Sequence, residues 1–295
     1  MKKRKKLNVV LAGMRFGACF IPIYQNHPDV GIVAVCDTDK KALKECGKRF
    51  GISELFTNLK DTLNDERFDA VHLVTPIPNH AEQTIAVLNS GKHCACTVPM
   101  ATSIKDIKAI ISAQKKAKKN YMMMETAVYT RHMFHAREMV KRGEIGKIQF
   151  LRGAHYQDME NWPSYWQGLP PMWYATHAVS PLLALAESRA TEVHCYGSGS
   201  MRKELQKQYG NPFPVETAIF KLEKSGAAAE VTRSLFQMAR AYTESFNVYG
   251  TRAGFEWEQL EKDEDPVVYK LAESLKTAES RGLPISCKRV SLRDR

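Results

Sequence analysis

Across residues 7–124, short apolar runs alternate with amphipathic helical patterns, and that alternation restricts the fold more than any other feature. Leu7–Ala12 (LNVVLA), Gly31–Cys36 (GIVAVC), Asp69–Val74, His93–Cys96 and Tyr121–Met124 read as short strands. Apolar runs of this length suit strands buried on both faces of a parallel sheet. Between them Phe16–Gln25, Lys40–Phe50, Asn79–Asn89 and Ser103–Lys118 read as helices. Asn79 and Ser103 stand at cap positions, with Asp106 three residues past Ser103, and Gly91 supplies a stop. Parallel neighbours need crossover helices, so this repetition specifies a doubly wound sheet.

After about Glu125 the pattern changes. Arg131–Arg142 reads as a helix closed by Gly143, and Thr176–Ala186 as another. Lys147–Tyr156, Glu192–Gly197, Pro214–Leu222, Ala227–Phe236, Ser245–Tyr249 and Gly254–Gln259 read as longer strands, several joined without a helix. Glu223-Lys224-Ser225-Gly226 suits a hairpin loop. Gly197-Ser198-Gly199-Ser200 reads as a loop, and Met122, Met123 and Met124 as core. The expected class is α/β: an N-terminal Rossmann doubly wound parallel sheet over residues 1–124, followed by an α+β domain with a mostly antiparallel sheet over 125–295.

The composition, 44% hydrophobic and 25% charged over 295 residues, supports a sizeable core and argues against disorder. The net charge of +11 raises the question of nucleic acid. Five of the first six residues are basic, and Lys115, Lys116, Lys118 and Lys119 end a helix, where cations complement the dipole. With no zinc-finger spacing and no RNA-binding aromatic motif, no nucleic-acid partner is expected. Seven cysteines, an odd count without framework spacing, fit reduced thiols in a cytoplasmic protein. A basic start followed by apolar residues superficially resembles a signal peptide, but Gly13 and Arg15 interrupt the run. No stretch is apolar and long enough to span a membrane, so no membrane partner is expected.

Gly13-Met14-Arg15-Phe16-Gly17-Ala18 lies between the first strand and the first helix, where the dinucleotide fingerprint G-x-G-x-x-G/A belongs. Gly13 and Ala18 match it, and Arg15 replaces the central glycine. The first glycine permits a tight turn, and the helix N-terminus offers N–H groups to a pyrophosphate. Asp37 ends the second strand, where an acid hydrogen-bonds an adenosine ribose. It favours NAD by repelling a 2′-phosphate, while Lys40 and Lys41 keep NADP open.

Two further segments sharpen the picture: Thr75-Pro76-Ile77-Pro78-Asn79-His80, and Gly91-Lys92-His93-Cys94-Ala95-Cys96-Thr97-Val98-Pro99-Met100-Ala101. Together they resemble the glucose–fructose oxidoreductase and inositol dehydrogenase family (Gfo/Idh/MocA), whose members carry a T-P-N-x-x-H-like turn and G-K-H-V-x-x-E-K-P. The likeness runs from about Leu7 to about Gln259. It implies an NAD(P)-dependent oxidoreductase acting on a CH–OH group of a sugar, cyclitol or sugar derivative. It also implies a homodimer or homotetramer built through the sheet of the second domain. The family's E-K-P is Thr97-Val98-Pro99 here, so the lysine often used as acid/base and cofactor ligand is Val98, which cannot move a proton.

A second resemblance is to the family's NAD-dependent glycoside hydrolase branch, which also tends to carry valine there. Met123-Met124-Glu125-Thr126 with Tyr129, Gly153-Ala154-His155-Tyr156-Gln157-Asp158, and Tyr174-Ala175-Thr176-His177-Ala178-Val179-Ser180-Pro181 are similar to its motifs. His155 stands where that branch has a tyrosine. This resemblance implies a hydrolase with recycled cofactor as the alternative. A third reading is a non-catalytic nucleotide-binding regulator, to which Val98 and Arg15 point.

Oxidising a carbinol needs a base near the hydroxyl, and histidine titrates in the right range. His177 is the first candidate, with His155 and Tyr174 beside it and Tyr129 behind. The cofactor candidates are Gly13, Arg15, Phe16, Ala18, Asp37, Thr75, Pro76, Asn79, His80 and Glu125. Glu125 follows the last Rossmann strand, where it would contact the nicotinamide ribose or cap a turn. Asp158, Trp162, Trp166 and Trp173 are the substrate candidates, since indole faces stack on sugar C–H faces or else plug a core. No metal site is expected, because no Cys/His set has ligand spacing. The resembling family continues with further helices past a region like Leu283–Arg295, so a shortened version and an incomplete sequence are both open readings.

Overall fold

Val9 and Leu11 point to one side of the first strand and Val10 and Ala12 to the other, and all four are buried. A strand apolar on both faces belongs inside a sheet covered on both sides. The computed structural model describes residues 5–258, 265–271 and 285–292, and its backbone divides into two units, Met1–Met124 and Glu125–Arg295.

The first unit runs β1 (Leu7–Ala12), α1 (Met14–Gly17), α2 (Ile21–Asn26), β2 (Val30–Cys36), α3 (Lys40–Phe50), β3 (Leu55–Phe56), α4 (Leu59–Asn64), β4 (Ala70–Leu73), α5 (His80–Asn89), β5 (His93–Thr97), α6 (Ile104–Ala117) and β6 (Tyr121–Met124). Its sheet is parallel throughout, in the order β3-β2-β1-β4-β5-β6. One core carries Val10, Ala12, Val71, Leu73, Cys94 and Cys96 against Val87, Leu88 and Ala113. The other carries Val9, Leu11 and Val35 against Met14, Ile21 and Leu43. The strand order reverses between β1 and β4, and open α/β sheets bind ligands beyond the carboxyl ends of the strands at such a point.

α3 has the bounds its sequence implies, because Asp39 accepts from the N–H groups of Lys41 and Ala42 and Gly51 ends it at φ 66°. Phe16–Gln25 does not form one helix. α1 starts earlier, at Met14, and stops at Gly17; a 3-10 turn, Ala18–Phe20, precedes α2. Pro22 lacks the N–H that would continue the ladder. Asn79 sits at the N-cap of α5 but makes no side-chain cap, because a 3-10 turn, Ile77–Asn79, leads in with αR dihedrals. Ser103 does cap α6, accepting from the Asp106 N–H at 3.1 Å. Met122–Met124 are not core: Met122 is 42% exposed and lines a groove of about 360 Å³ with His72 and Tyr24. Of the basic tail, Lys2, Lys3 and Arg4 lie outside the described residues, while Lys5 pairs with Asp69 at 3.2 Å.

The second unit runs α7 (Arg131–Lys141), β7 (Ile148–Tyr156), α8 (Thr176–Ala186), β8 (Ala190–Ser198), α9 (Lys203–Gln206), β9 (Val215–Leu222), β10 (Ala228–Ser234), β11 (Thr243–Gly250), β12 (Ala253–Glu256), β13 (Val267–Leu271) and β14 (Ile285–Arg289). Among the described residues its sheet has the order β14-β13-β12-β11-β7-β10-β9-β8. The pairings are antiparallel except β7 with β10, which is parallel. The strand expected to reach Gln259 ends at Glu256, and Gln259 lies outside the described residues. Gly197 and Ser198 are strand, not loop, because their positions pair with Glu216 and Val215 of β9. α7 and α8 bury Met133, Ala136, Ala178 and Leu182 in one core with Leu151, Val231, Phe246 and Val248 of the sheet.

Candidate functional site

Three sheet positions in one register row organise the second unit. On β7, His155 lies opposite Arg233 of β10 on one side and Glu244 of β11 on the other. Directly paired residues share a face, so these three side chains emerge together. Glu216 of β9 pairs with Arg233 and extends the row. α8 lies close above it because Gly153, two residues before His155, has no side chain. A Cβ there would come 2.2 Å from the Ala178 carbonyl oxygen. The first turn of α8 thereby delivers His177 over the row, with ring centroids of His155 and His177 5.4 Å apart.

His177 is 9% exposed. Its Nδ1 is 2.5 Å from Glu125 Oε1 and 3.6 Å from Glu244 Oε1, and its Nε2 is 3.4 Å from the Tyr174 hydroxyl. Glu125 Oε1 also accepts from the Ala127 N–H at 2.9 Å, so a turn fixes this carboxylate before it meets the imidazole. Glu244 Oε2 accepts from the Tyr242 hydroxyl at 2.6 Å. With Nδ1–H donated to a carboxylate, the neutral ring keeps its lone pair on Nε2 and can accept a proton there.

Arg233 is fully buried and holds the backbone around this cluster. Its guanidinium donates to the carbonyls of Tyr174, His155 and Ser234 and to Gln157 Oε1, at 2.6 to 3.0 Å. Burial lowers its pKa to about 9. The guanidinium carbon sits 5.2 Å from the Tyr174 ring centroid, and burial pushes the Tyr174 hydroxyl up to about 12. His155 is 1% exposed and burial, with Arg233 nearby, holds its pKa well below the usual histidine value.

Buried polar atoms without a hydrogen-bond partner gather around this cluster: Glu125 Oε2, both His155 ring nitrogens, Thr176 Oγ1, Ser234 Oγ and Trp166 Nε1. Such groups are rare in folded proteins and call for an explanation. Trp166 stands at the edge of the cluster, 4.9 Å edge-on to Tyr174 and 5.9 Å from Trp162.

Other sequence candidates of the second unit fall elsewhere. Asp158 is exposed and closes a local turn by accepting from the Glu160 N–H. Trp173 is 40% exposed and packs on Tyr209, and Tyr129 is 57% exposed. Glu125 meets both a turn and the His177 imidazole. No Cys/His set marks a metal in the sequence, yet Glu125, His177 and Glu244 each bring a possible ligand atom within 4.8 Å of the others. Sequence spacing hides this set because its members are separated by 52 and 67 positions. Glu244, Tyr242 and Arg233 had no motif to mark them, and only the strand register reveals them.

In the first unit, Gly13 has φ 97°, and a Cβ on it would lie 2.3 Å from the Val74 carbonyl oxygen. Glycine alone allows the turn after β1 to press against the turn after β4. Asp37 Oδ2 accepts from the Met14 N–H at 2.6 Å and Oδ1 from the Asp39 N–H at 2.8 Å, which fixes the acid at the mouth of the loop. Arg15 and Phe16 are exposed and Ala18 half-buried. α1 has only four residues, so the loop's own N–H groups and Arg15, rather than a long helix dipole, face an incoming anion. Thr75 donates to Gln83 Oε1. His80 is 1% exposed, its Nδ1 2.7 Å from the Pro99 carbonyl oxygen and its Nε2 2.8 Å from that of Thr75. A neutral imidazole carries one N–H, so His80 donates to one of these two carbonyls and tethers the turn at Pro76; Asn79 is exposed. Val98 is 7% exposed.

Among the described residues no helix is long and apolar enough to cross a membrane. Residues 7–125 match the oxidoreductase family with an NAD-binding Rossmann fold, and residues 133–256 match the Gfo/Idh/MocA C-terminal domain. A glycosyl hydrolase family 109 protein of Porphyromonas gingivalis is 26% identical over 200 residues, 62% of this chain and 42% of that protein. The chain thus spans less than half the length of this relative. A 1-carboxy-3-chloro-3,4-dihydroxycyclohexa-1,5-diene dehydrogenase of Comamonas testosteroni is 23% identical, covering 78% of this chain and 57% of that one. The fold is shared with myo-inositol 2-dehydrogenase of Lactobacillus plantarum, at TM-score 0.76 and 20% identity over 97% of this chain and 82% of that one. It is also shared with levoglucosan dehydrogenase in complex with NADH, at TM-score 0.75 and 21% identity over 97% and 80%. With both halves matched in order, the chain belongs to the Gfo/Idh/MocA oxidoreductase family, with its NAD-binding Rossmann fold.

Proposed function

We propose that this protein is an NAD(P)-dependent oxidoreductase acting on a CH–OH group of a sugar, cyclitol or related polyol. The observation that carries the reading is the Glu125–His177–Tyr174 chain, a proton-accepting imidazole fixed by a buried carboxylate. The first unit holds the dinucleotide through Gly13, Arg15, Phe16, Ala18, Asp37, Thr75 and Pro76. Asp37 takes the adenosine ribose hydroxyls and favours NAD over NADP.

NAD supplies the hydride acceptor when bound. His177 Nε2 would take the hydroxyl proton as the carbinol carbon gave its hydrogen, with the electron pair, to the bound cofactor, leaving a carbonyl. Glu125 stabilises the imidazolium that forms. Tyr174, with its proton held tightly, positions the hydroxyl by hydrogen bonding. This base does the work that Val98 cannot do. Trp166 and Trp162 give the sugar ring an apolar wall. Two structural relatives, a myo-inositol 2-dehydrogenase and a levoglucosan dehydrogenase, act on this class of substrate.

The test begins with mass spectrometry of nucleotide released from the purified protein and calorimetric titration of NAD and NADP into the stripped protein. A panel of sugars and cyclitols then follows NADH absorbance. Stoichiometric NADH with one of them supports the reading, and Gly13→Ala is expected to abolish NAD binding. Cleavage of an aryl glycoside without net NADH would overturn it in favour of a recycled-cofactor hydrolase.

A further inference from the structure

A buried carboxylate, a half-buried one and an imidazole converge in the second unit, and a proton is not the only cation they can share. Glu125 Oε1 and Glu244 Oε1 approach the same nitrogen, His177 Nδ1, at 2.5 and 3.6 Å. The three ligand atoms lie within 4.8 Å of one another. Around a small divalent cation with bonds of about 2.0–2.2 Å, ligand atoms sit roughly 3 to 3.5 Å apart. The observed separations bracket that spacing, so side-chain shifts suffice to close it.

Two independent observations point to an occupant. Glu125 Oε2 is buried with no hydrogen-bond partner, on a residue 5% exposed. His155, 1% exposed, has no partner on either ring nitrogen and lies with its ring 5.4 Å from that of His177. The Tyr242 hydroxyl already orients the outer oxygen of Glu244, as groups behind metal ligands commonly do.

We propose that Glu125, His177 and Glu244 form a site for one divalent first-row transition-metal cation, which takes the place of the proton on His177 Nδ1. An imidazole with two carboxylates favours Mn²⁺, Fe²⁺ or Zn²⁺ over the all-oxygen preference of Ca²⁺. Three protein ligands leave coordination positions for water or a substrate oxygen. Binding is a tautomer exchange in which the single proton of the neutral ring moves from Nδ1 to Nε2 through solvent and the Nδ1 lone pair goes to the metal, with no net proton release. The proposal stands on the geometry of the cluster and does not require the oxidoreductase reading. Where that reading holds, the metal-loaded form carries its one imidazole proton on Nε2 and no longer serves as the base.

The experiment uses the full chain stripped with chelator and titrated calorimetrically with Mn²⁺, which thiols bind weakly, in two buffers of different ionisation enthalpy. One equivalent of Mn²⁺ is expected to bind near neutral pH, with the same heat in both buffers. Glu244→Gln and Glu125→Gln are each expected to weaken binding at least tenfold. A Co²⁺ spectrum of the unmutated protein, free of any thiolate charge-transfer band, places the metal on oxygen and nitrogen without relying on a variant's folding. No saturable Mn²⁺ binding, undiminished affinity in folded variants, or a thiolate band that puts the metal on Cys19, Cys195 or Cys287 would each overturn the proposal.

Discussion

His177 and Glu125 show how a single hydrogen bond assigns a chemical role. The carboxylate takes Nδ1–H and leaves Nε2 as the reactive nitrogen. In the proposed reaction His177→Ala is expected to lower kcat by about 10²- to 10⁴-fold, the usual worth of a positioned base. Glu125→Gln keeps the shape but removes the charge that stabilises the imidazolium, so kcat falls while KM changes little in steady-state assays. Arg233 acts on structure. Arg233→Met removes the guanidinium donors to the Tyr174 and His155 carbonyls, while Ser234 O keeps the Gln157 N–H, and a loss of at least about 2 kcal/mol in urea unfolding is expected, from about 1 to 3 kcal/mol per group left unpaired. His72 gives a pH signature in the first unit. It is fully buried, with Tyr24 as hydrogen-bond partner, and burial lowers its pKa to about 4. The unfolded chain takes up that proton below about pH 6.5 and the folded chain does not until about pH 4. Stability present above pH 6.5 is therefore lost as pH falls toward 4, by up to about 3 kcal/mol. His72→Gln should remove that share of the slope. His80 and His155 are shifted down as well and keep theirs.

At the scale of elements, the site depends on one helix lying unusually close to one strand. Gly153 lets α8 approach β7, and the parallel pairing of β7 with β10 sets Arg233 opposite His155. Gly153→Ala forces the Ala178 carbonyl away and lifts the first turn of α8 from the row. A destabilisation of about 1–3 kcal/mol is expected in thermal unfolding, as for other overpacked sites. The displacement of His177 should also lower kcat at unchanged NAD affinity. In the first unit, the break between α1 and α2 follows from Pro22 and leaves the loop after β1 to be shaped by Gly13 and Asp37 instead of by a long helix.

For the whole molecule, the two units differ in architecture: a parallel sheet with a glycine turn after its first strand, and a mostly antiparallel sheet that carries the His177 cluster. On the face of the second sheet turned away from α8, Tyr196 is 75% exposed and Ile219 44% exposed, on adjacent strands. If the protein assembles through this sheet, as its family membership suggests, Tyr196→Lys with Ile219→Lys should convert the oligomer to monomer in sedimentation velocity and leave nucleotide affinity unchanged. Retention of the oligomer would place the interface elsewhere.

The sequence by itself determined the first sheet, because apolar runs separated by capped helices admit few arrangements other than a doubly wound one. It determined α8 as well, whose Thr176–Ala186 bounds agree with the residues read as helical. It also marked His177, His155 and Tyr174, which the fold gathers into one cluster. Tertiary structure alone decided what those residues meet. Glu125, His177 and Glu244 converge across more than a hundred residues of chain, and His80 turns out to tether the turn at Pro76. Local patterns record propensity and periodicity over a few turns. Which carboxylate faces which imidazole is set by strand register and by the close approach at Gly153, and neither leaves a mark in nearest-neighbour sequence.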